Sequence, residues 1–312
     1  MMQDKCKDKF GEATTVFVSY SFVYPWSRPI NWPRSHNAYK SGMLSGNVEY
    51  ALWCKSVQFT LFAWGRPFEE VMLTFCPDLA SQCDELKQEN HGISTRMYWQ
   101  VMLNLSGRSR NTVEIKGEVF DPKINGSIPR VYIMYMELLL RVIFGEWALA
   151  LEKALEMGDK FERECPSHQE GMLVVFLRGL AFYKAARRHR KYRGYAKKAH
   201  AKIQGWVQNG NPNVRHFCFF LDAESAALSG NSRNASTLYN ESISLAARTG
   251  MLHMAALTNE CFAELLRKDL KEDDARYRIE EALRFYKLWG AHGKVNALMK
   301  ANVKSEMRAR DF

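Results

Sequence analysis

The sequence predicts an all-α chain of stacked antiparallel helix pairs, on three observations. Apolar residues recur at a spacing near 3.6 through most of the 312 residues, and strand-like alternation is scarce. Five of the nine prolines (Pro25, Pro29, Pro33, Pro67 and Pro77) fall in the first quarter. The long stretches after them are free to be helical, since an interior proline costs a helix ~3 kcal/mol. Glycines at 145, 230, 250 and 290 stand at the expected joints, where a left-handed C-cap suits glycine best. Apolar residues at 46% and charged residues at 25% exclude a disordered chain, and the length suffices for a large core.

Residues 1–45 are expected to form an irregular N-terminal segment with room for one helix. Thr14–Val23 suits a helix or a strand, and Tyr24–Pro33, rich in proline and tryptophan, reads as an ordered loop. A helical repeat domain is expected over 46–301 and a C-terminal tail over 302–312. Its first helix runs from Asn47 toward Trp64 and stops at Gly65-Arg66-Pro67, and the second starts at Pro67. A third spans Ile93–Leu105, and Ser106–Ile128, with four glycines or prolines, is a loop. Helices then follow over Pro129–Phe144, Trp147–Glu162, Gln169–Arg187, Tyr195–Gln208, Asn213–Leu228, Arg233–Arg248, Met251–Lys268 and Glu272–Leu288. Short joints between them force neighbours antiparallel.

An internal repeat supports the pairing. Ala235, Tyr239, Ser242, Ile243 and Ala246 close at Gly250, and forty residues on (275 − 235) Ala275, Ile279, Ala282, Leu283 and Tyr286 close at Gly290. A weaker copy after Gly145 runs through Ala150, Ala154, Met157 and Phe161. Small residues on the second helix of a pair let it approach large ones on the first, such as Phe217, Phe220 and Leu221, or Leu257, Cys261 and Leu265. One pair cannot bury such a face alone, but a stack can. The predicted architecture is therefore a right-handed, tetratricopeptide-like α-solenoid.

The seven cysteines are dispersed, without a C-x-x-C pair, and read as reduced core thiols of a cytoplasmic protein. The apolar stretches Val131–Phe144 and Met172–Tyr183 carry Glu137, Arg141 and Arg178, so they are expected to be buried helices and not membrane spans. Met1–Phe10 lacks the apolar core of a signal peptide.

The net charge of +10 is concentrated in one place. Arg187, Arg188, Arg190, Lys191, Arg193, Lys197, Lys198 and Lys202 form a run without an acid, interleaved with Tyr192 and Tyr195 and flanked by Tyr183 and Trp206. Such a run can grip an acidic protein surface or, as a second reading, a nucleic acid or other polyanion. A solvated helix face is the plainer use. Glu137 and Arg141, four apart, suit an ion pair. Glu224 and Glu260 would do acid–base work only if they faced each other. The eight histidines show no H-x-x-x-H or H-E-x-x-H spacing, so neither a metal nor a cofactor is expected. Tyr98, Trp99 and Met102 form a stripe that suits core packing or a partner contact.

Several segments carry a family likeness. Phe217-Cys-Phe-Phe-Leu-Asp-Ala-Glu224 and Leu238-Tyr-Asn-Glu-Ser-Ile-Ser-Leu-Ala-Ala-Arg-Thr-Gly250 resemble the helical region of large multidomain signalling kinases. Those proteins join a serine/threonine kinase-like domain, a STAND/AAA-type ATPase, this helical region, a GAF sensor and often a histidine kinase. Ala282-Leu-Arg-Phe-Tyr-Lys-Leu-Trp-Gly-Ala-His-Gly-Lys-Val295 is similar to the closing helix of that region, and Phe22–Pro29 and Gly46–Ala51 to its opening. The likeness spans about Phe17–Leu298. No G-x-x-x-x-G-K-[ST] loop, H-R-D or D-F-G motif occurs, so no catalytic residue carries over. The resemblance implies a non-catalytic regulatory module with protein partners, kinase or ATPase domains among them.

Overall fold

The computed structural model of the chain describes residues 9–123 and 129–310, with side chains over 10–123 and 129–303. The described regular structure is helical throughout, with no strand among the described residues.

Two helices occupy the segment expected to be irregular: α1 (Lys9–Val18), which runs into a π-helical turn over Ser19–Val23, and α2 (Ser35–Ser45). They pack on each other and on α3 (Val48–Thr60) around Ala13, Val16, Ala38 and Cys54. The seam is made of small residues: a Cβ on Gly42 would lie 2.8 Å from the Cβ of Ala51. A helix held by close backbone approach carries a weak apolar period, which is why the sequence over 35–45 shows little helical signal. The expected boundary at 45/46 falls inside this small bundle.

The second expected helix begins at Glu69, widens into a π-helical turn over Val71–Phe75 and continues as α4 (Cys76–Glu85). Pro77 has no N–H to give the preceding turn, and the backbone widens just before it. Then follow α5 (Glu89–Ser106), an irregular loop described to residue 123, α6 (Arg130–Ile143), α7 (Trp147–Met157) and the short α8 (Lys160–Glu164). The helix expected over Trp147–Glu162 breaks at Gly158, whose φ of 52° and ψ of −129° leave the helical region.

The remaining helices form three pairs: α9 (Glu170–Ala186) with α10 (Arg193–Gln208), α11 (Arg215–Leu228) with α12 (Ser232–Arg248), and α13 (Leu252–Lys268) with α14 (Glu272–Trp289). Successive pairs touch through α9 and α11 and through α12 and α13. The joints keep a constant register. Gly210, Gly250 and Gly290 all have positive φ and stand forty residues apart (250 − 210, 290 − 250). At the opposite ends Gly230 and Leu270 share that spacing and that conformation. The final helix, α15 (His292–Arg310), runs through most of the expected tail; residues 311 and 312 lie outside the described residues.

The N-terminal part is laid along one edge of the pairs, over their glycine joints. Ser21 O accepts from Gln169 N at 3.0 Å, and Asn213 Nδ2 donates to Pro25 O at 2.7 Å and to Arg28 O at 2.8 Å. Gly65 lies against Met251, Phe68 N donates to Trp289 O at 3.1 Å, and Gly107 abuts Gly293. The contacts advance in the same order along both segments. One apolar core from Leu52 to Leu298 results.

Candidate functional site

A cavity of about 360 Å³ lies where this N-terminal part meets the turn before α9. Its walls come from α1 and the π-helical turn (Phe17, Ser21, Phe22), from Trp32, from α3 (Trp53, Ser56, Phe59), from α5 (Asn90, Ser94, Met97, Tyr98), from Tyr132 on α6, and from His168 and Gln169. Phe17 stacks on Trp53 with centroids 5.5 Å apart and meets Phe22 edge-on at 6.4 Å. The volume suits a small molecule, and the wall offers aromatic faces with a few polar groups, as ligand cavities do. Two of those groups, Trp32 Nε1 and Gln169 Oε1, have no hydrogen-bond partner among the described residues.

Behind the wall stands Glu170, fully buried in the first turn of α9. Burial pushes its carboxyl up to about 7, against the hydrogen bond from Tyr98 OH to Oε1 at 2.7 Å, which favours the charged form. Oε2 makes no hydrogen bond, and His168 Nδ1 stands 3.8 Å from it. Burial holds the His168 imidazole down at about 4, so it is neutral at pH 7. A carboxyl poised near neutrality behind an aromatic cavity acts on it through Tyr98, a wall residue whose hydroxyl it holds. Sequence reasoning missed both groups. An acid at the head of an apolar helix looks like an ordinary dipole-favoured residue, and only burial reverses its preference.

The candidates drawn from the sequence are scattered elsewhere. Glu137 pairs with Lys153 at 2.8 Å, not with Arg141, whose guanidinium donates to Leu149 O at 3.0 Å. Their four-residue spacing gave the right face, but the neighbouring α7 supplied better partners. Glu224 and Glu260 lie in separate groups. Glu224 is held by Lys184 at 3.2 Å, Arg187 at 2.7 Å and the Tyr239 hydroxyl at 2.8 Å. Burial alone would raise its carboxyl, but the two cations hold it below the usual carboxylate range. Lys184 and Arg187 also reach Glu264, at 2.6 and 3.1 Å. Positions 184, 224 and 264 keep the forty-residue register (224 − 184, 264 − 224), so this network ties the first helices of all three pairs together. Glu260 instead accepts from Tyr286 OH at 3.0 Å and pairs with Lys294 at 2.7 Å.

The basic run divides. Arg187 belongs to the network just described, and Lys202 pairs with Glu162 at 2.8 Å. Arg188, Arg190, Lys191, Arg193, Lys197 and Lys198 are exposed around the joint between α9 and α10, at the end of the pairs opposite the glycine joints that carry the N-terminal part. Tyr98 and Met102 are buried, as the core reading of that stripe predicts, and Tyr98 also lines the cavity. His216, close in sequence to Cys218 and Asp222, turns instead against Phe217, with ring centroids 4.1 Å apart. His200 from α10 takes the place beside them. No helix among the described residues is long and apolar enough to cross a membrane. No protein-family model, curated protein or solved structure matches the chain.

Proposed function

We propose that this chain is a non-catalytic regulatory module of the tetratricopeptide-like solenoid type, controlled by a small, mainly aromatic ligand. The supporting observation is the placement of the cavity between α1–α3, α5 and the turn before α9. A ligand there touches both the N-terminal part and the first helix pair, and it stabilises whichever arrangement brings the two together. The forty-residue register supports the repeat reading, since each pair then contacts mainly its neighbours and small rotations add along the stack. The likeness to the helical region of multidomain sensor kinases gives such a module its role: relaying a state change between ATPase or kinase regions and downstream sensors. The exposed residues from Arg188 to Lys198 would supply the electrostatic part of partner recognition.

Saturation-transfer NMR on the full chain with a set of indole- and phenol-sized fragments tests the cavity. Binding of some of them, lost in Ser94→Phe with unchanged circular dichroism, is expected. No binding, or binding that survives Ser94→Phe, overturns the reading. A second reading, polyanion binding through 187–202, is favoured by the exposure of all eight of its cations, six of which stand outside the ion pairs of Arg187 and Lys202. Affinity for RNA or DNA would then fall steeply with the logarithm of salt concentration, and a flat response removes it.

A further inference from the structure

The geometry points to a divalent-metal site of the zinc or cobalt class formed by His200, Cys218 and Asp222. Cys218 and Asp222 stand one turn apart on α11 and so share a face, and His200 reaches them from α10. Asp222 Oδ1 is 3.0 Å from His200 Nε2, Asp222 Oδ2 is 3.5 Å from Cys218 Sγ, and one ligand atom from each residue lies within 4.8 Å of the others. Ligands at the usual zinc distances, ~2.0–2.3 Å from a tetrahedral ion, lie about 3.3–3.7 Å from each other. With one oxygen of Asp222 as ligand the three atoms lie within 4.8 Å of one another, so shifts of about 1 Å bring them to that spacing.

A second observation concerns the imidazole. His200 is 6% exposed, and its buried Nε2 makes no hydrogen bond although a carboxylate oxygen stands only 3.0 Å away. The oxygen is therefore off the ring-nitrogen axis, where a hydrogen bond is weak. An ion seated on that axis would have its other ligands off axis in the same way. The far ring nitrogen, Nδ1, meets Tyr183 OH at 2.8 Å. If Nδ1–H donates to that oxygen, Nε2 keeps its lone pair for the metal, the usual orienting role of a partner behind a histidine ligand. One imidazole, one thiol and one carboxylate suit a borderline cation better than magnesium or calcium. Cys218 and Asp222 are partly exposed, which leaves a coordination position facing water. Burial and the Asp222 charge hold the free thiol protonated, up to about 12. On binding, the S–H bond breaks, the sulfur–metal bond forms with the same electron pair, and the proton passes to solvent.

The test uses the full chain, stripped with a chelator and titrated with Co²⁺ alone, then competed with Zn²⁺. Expected are one ion per chain and a thiolate-to-cobalt charge-transfer band that Zn²⁺ removes. Cys218→Ser should abolish the band, Asp222→Asn should weaken binding at least about tenfold, and Tyr183→Phe should keep the band while weakening binding about tenfold. Cys165→Ser, outside the trio, should change nothing. Absence of the band, or its survival in Cys218→Ser, overturns the metal site. Because the Cys218 thiol is partly exposed, Cys218→Ser is the variant that decides should His200→Gln fail to fold.

Discussion

His253 offers a stability prediction whose size follows from its surroundings. It is fully buried on α13, stacks on Trp289 with centroids 5.0 Å apart, and neither ring nitrogen has a hydrogen-bond partner among the described residues. Burial, helped by the nearby His216, holds its imidazole down at about 3 against an ordinary 6.5. Between those values the unfolded chain binds a proton that the folded chain does not, so wild-type stability falls as pH drops below about 6.5. Each pH unit is worth about 1.4 kcal/mol, so one such histidine removes about 2 kcal/mol by pH 5. His253→Phe keeps the stack on Trp289 and removes both the titration and the unsatisfied ring nitrogens, whose burial costs about 1–3 kcal/mol. Urea unfolding should find the variant more stable by about 1 kcal/mol at pH 7 and by about 3 kcal/mol at pH 5. A gap that stays constant between the two pH values would refute the buried, neutral imidazole.

Glu170 should behave with the opposite sign. Its carboxyl is raised to about 7, so the wild type loses stability as pH rises from 4.5 to 7, and Glu170→Gln should gain up to about 3 kcal/mol at pH 8 and little at pH 4.5 in the same assay. Lys184→Met leaves Glu224 buried with one cation fewer and should cost about 3–5 kcal/mol in denaturant unfolding. A cost below about 1 kcal/mol would mean that the network does not tie the pairs. Two glycines with positive φ should differ sharply on replacement by alanine. At Gly230 nothing lies within 4 Å of the added Cβ, so only the backbone strain of about 1–2 kcal/mol appears. At Gly65 the Cβ would sit 2.5 Å from the Cα of Met251, so thermal unfolding should show a far larger loss and a loosened contact between the N-terminal part and the pairs.

Local information placed most helices well because their apolar stripes are wide. Gln169–Arg187 and Met251–Lys268 were expected within a residue or two of α9 and α13, whose faces are lined by residues such as Phe176, Leu180, Leu257 and Leu265. The joints were legible for the same local reason, since a left-handed turn calls for glycine at 230, 250 and 290. Gly210 keeps the same register, but the small residues that reveal the later pairs are offset on α10, where Ala196, Ala199 and His200 are buried. The first helix and its π-helical turn fall on Thr14–Val23, which the sequence leaves between helix and strand, whereas α2 is hidden because small residues and close backbone approach hold it and leave little apolar period to read.

What the sequence determined by itself was the helical class, the forty-residue register and the basic run, all properties of neighbours along the chain. Tertiary structure alone decided which side chains meet. It laid the N-terminal part over the glycine joints and enclosed an aromatic cavity there. It also gave Arg187 one buried acid, Glu224, and one half-buried acid, Glu264, and set His200 beside Cys218 and Asp222. Burial then fixed the chemistry, because desolvation turns Glu170 from a surface acid into a carboxyl that titrates near neutrality. Burial is a property of the packed chain, and no spacing along the sequence records it.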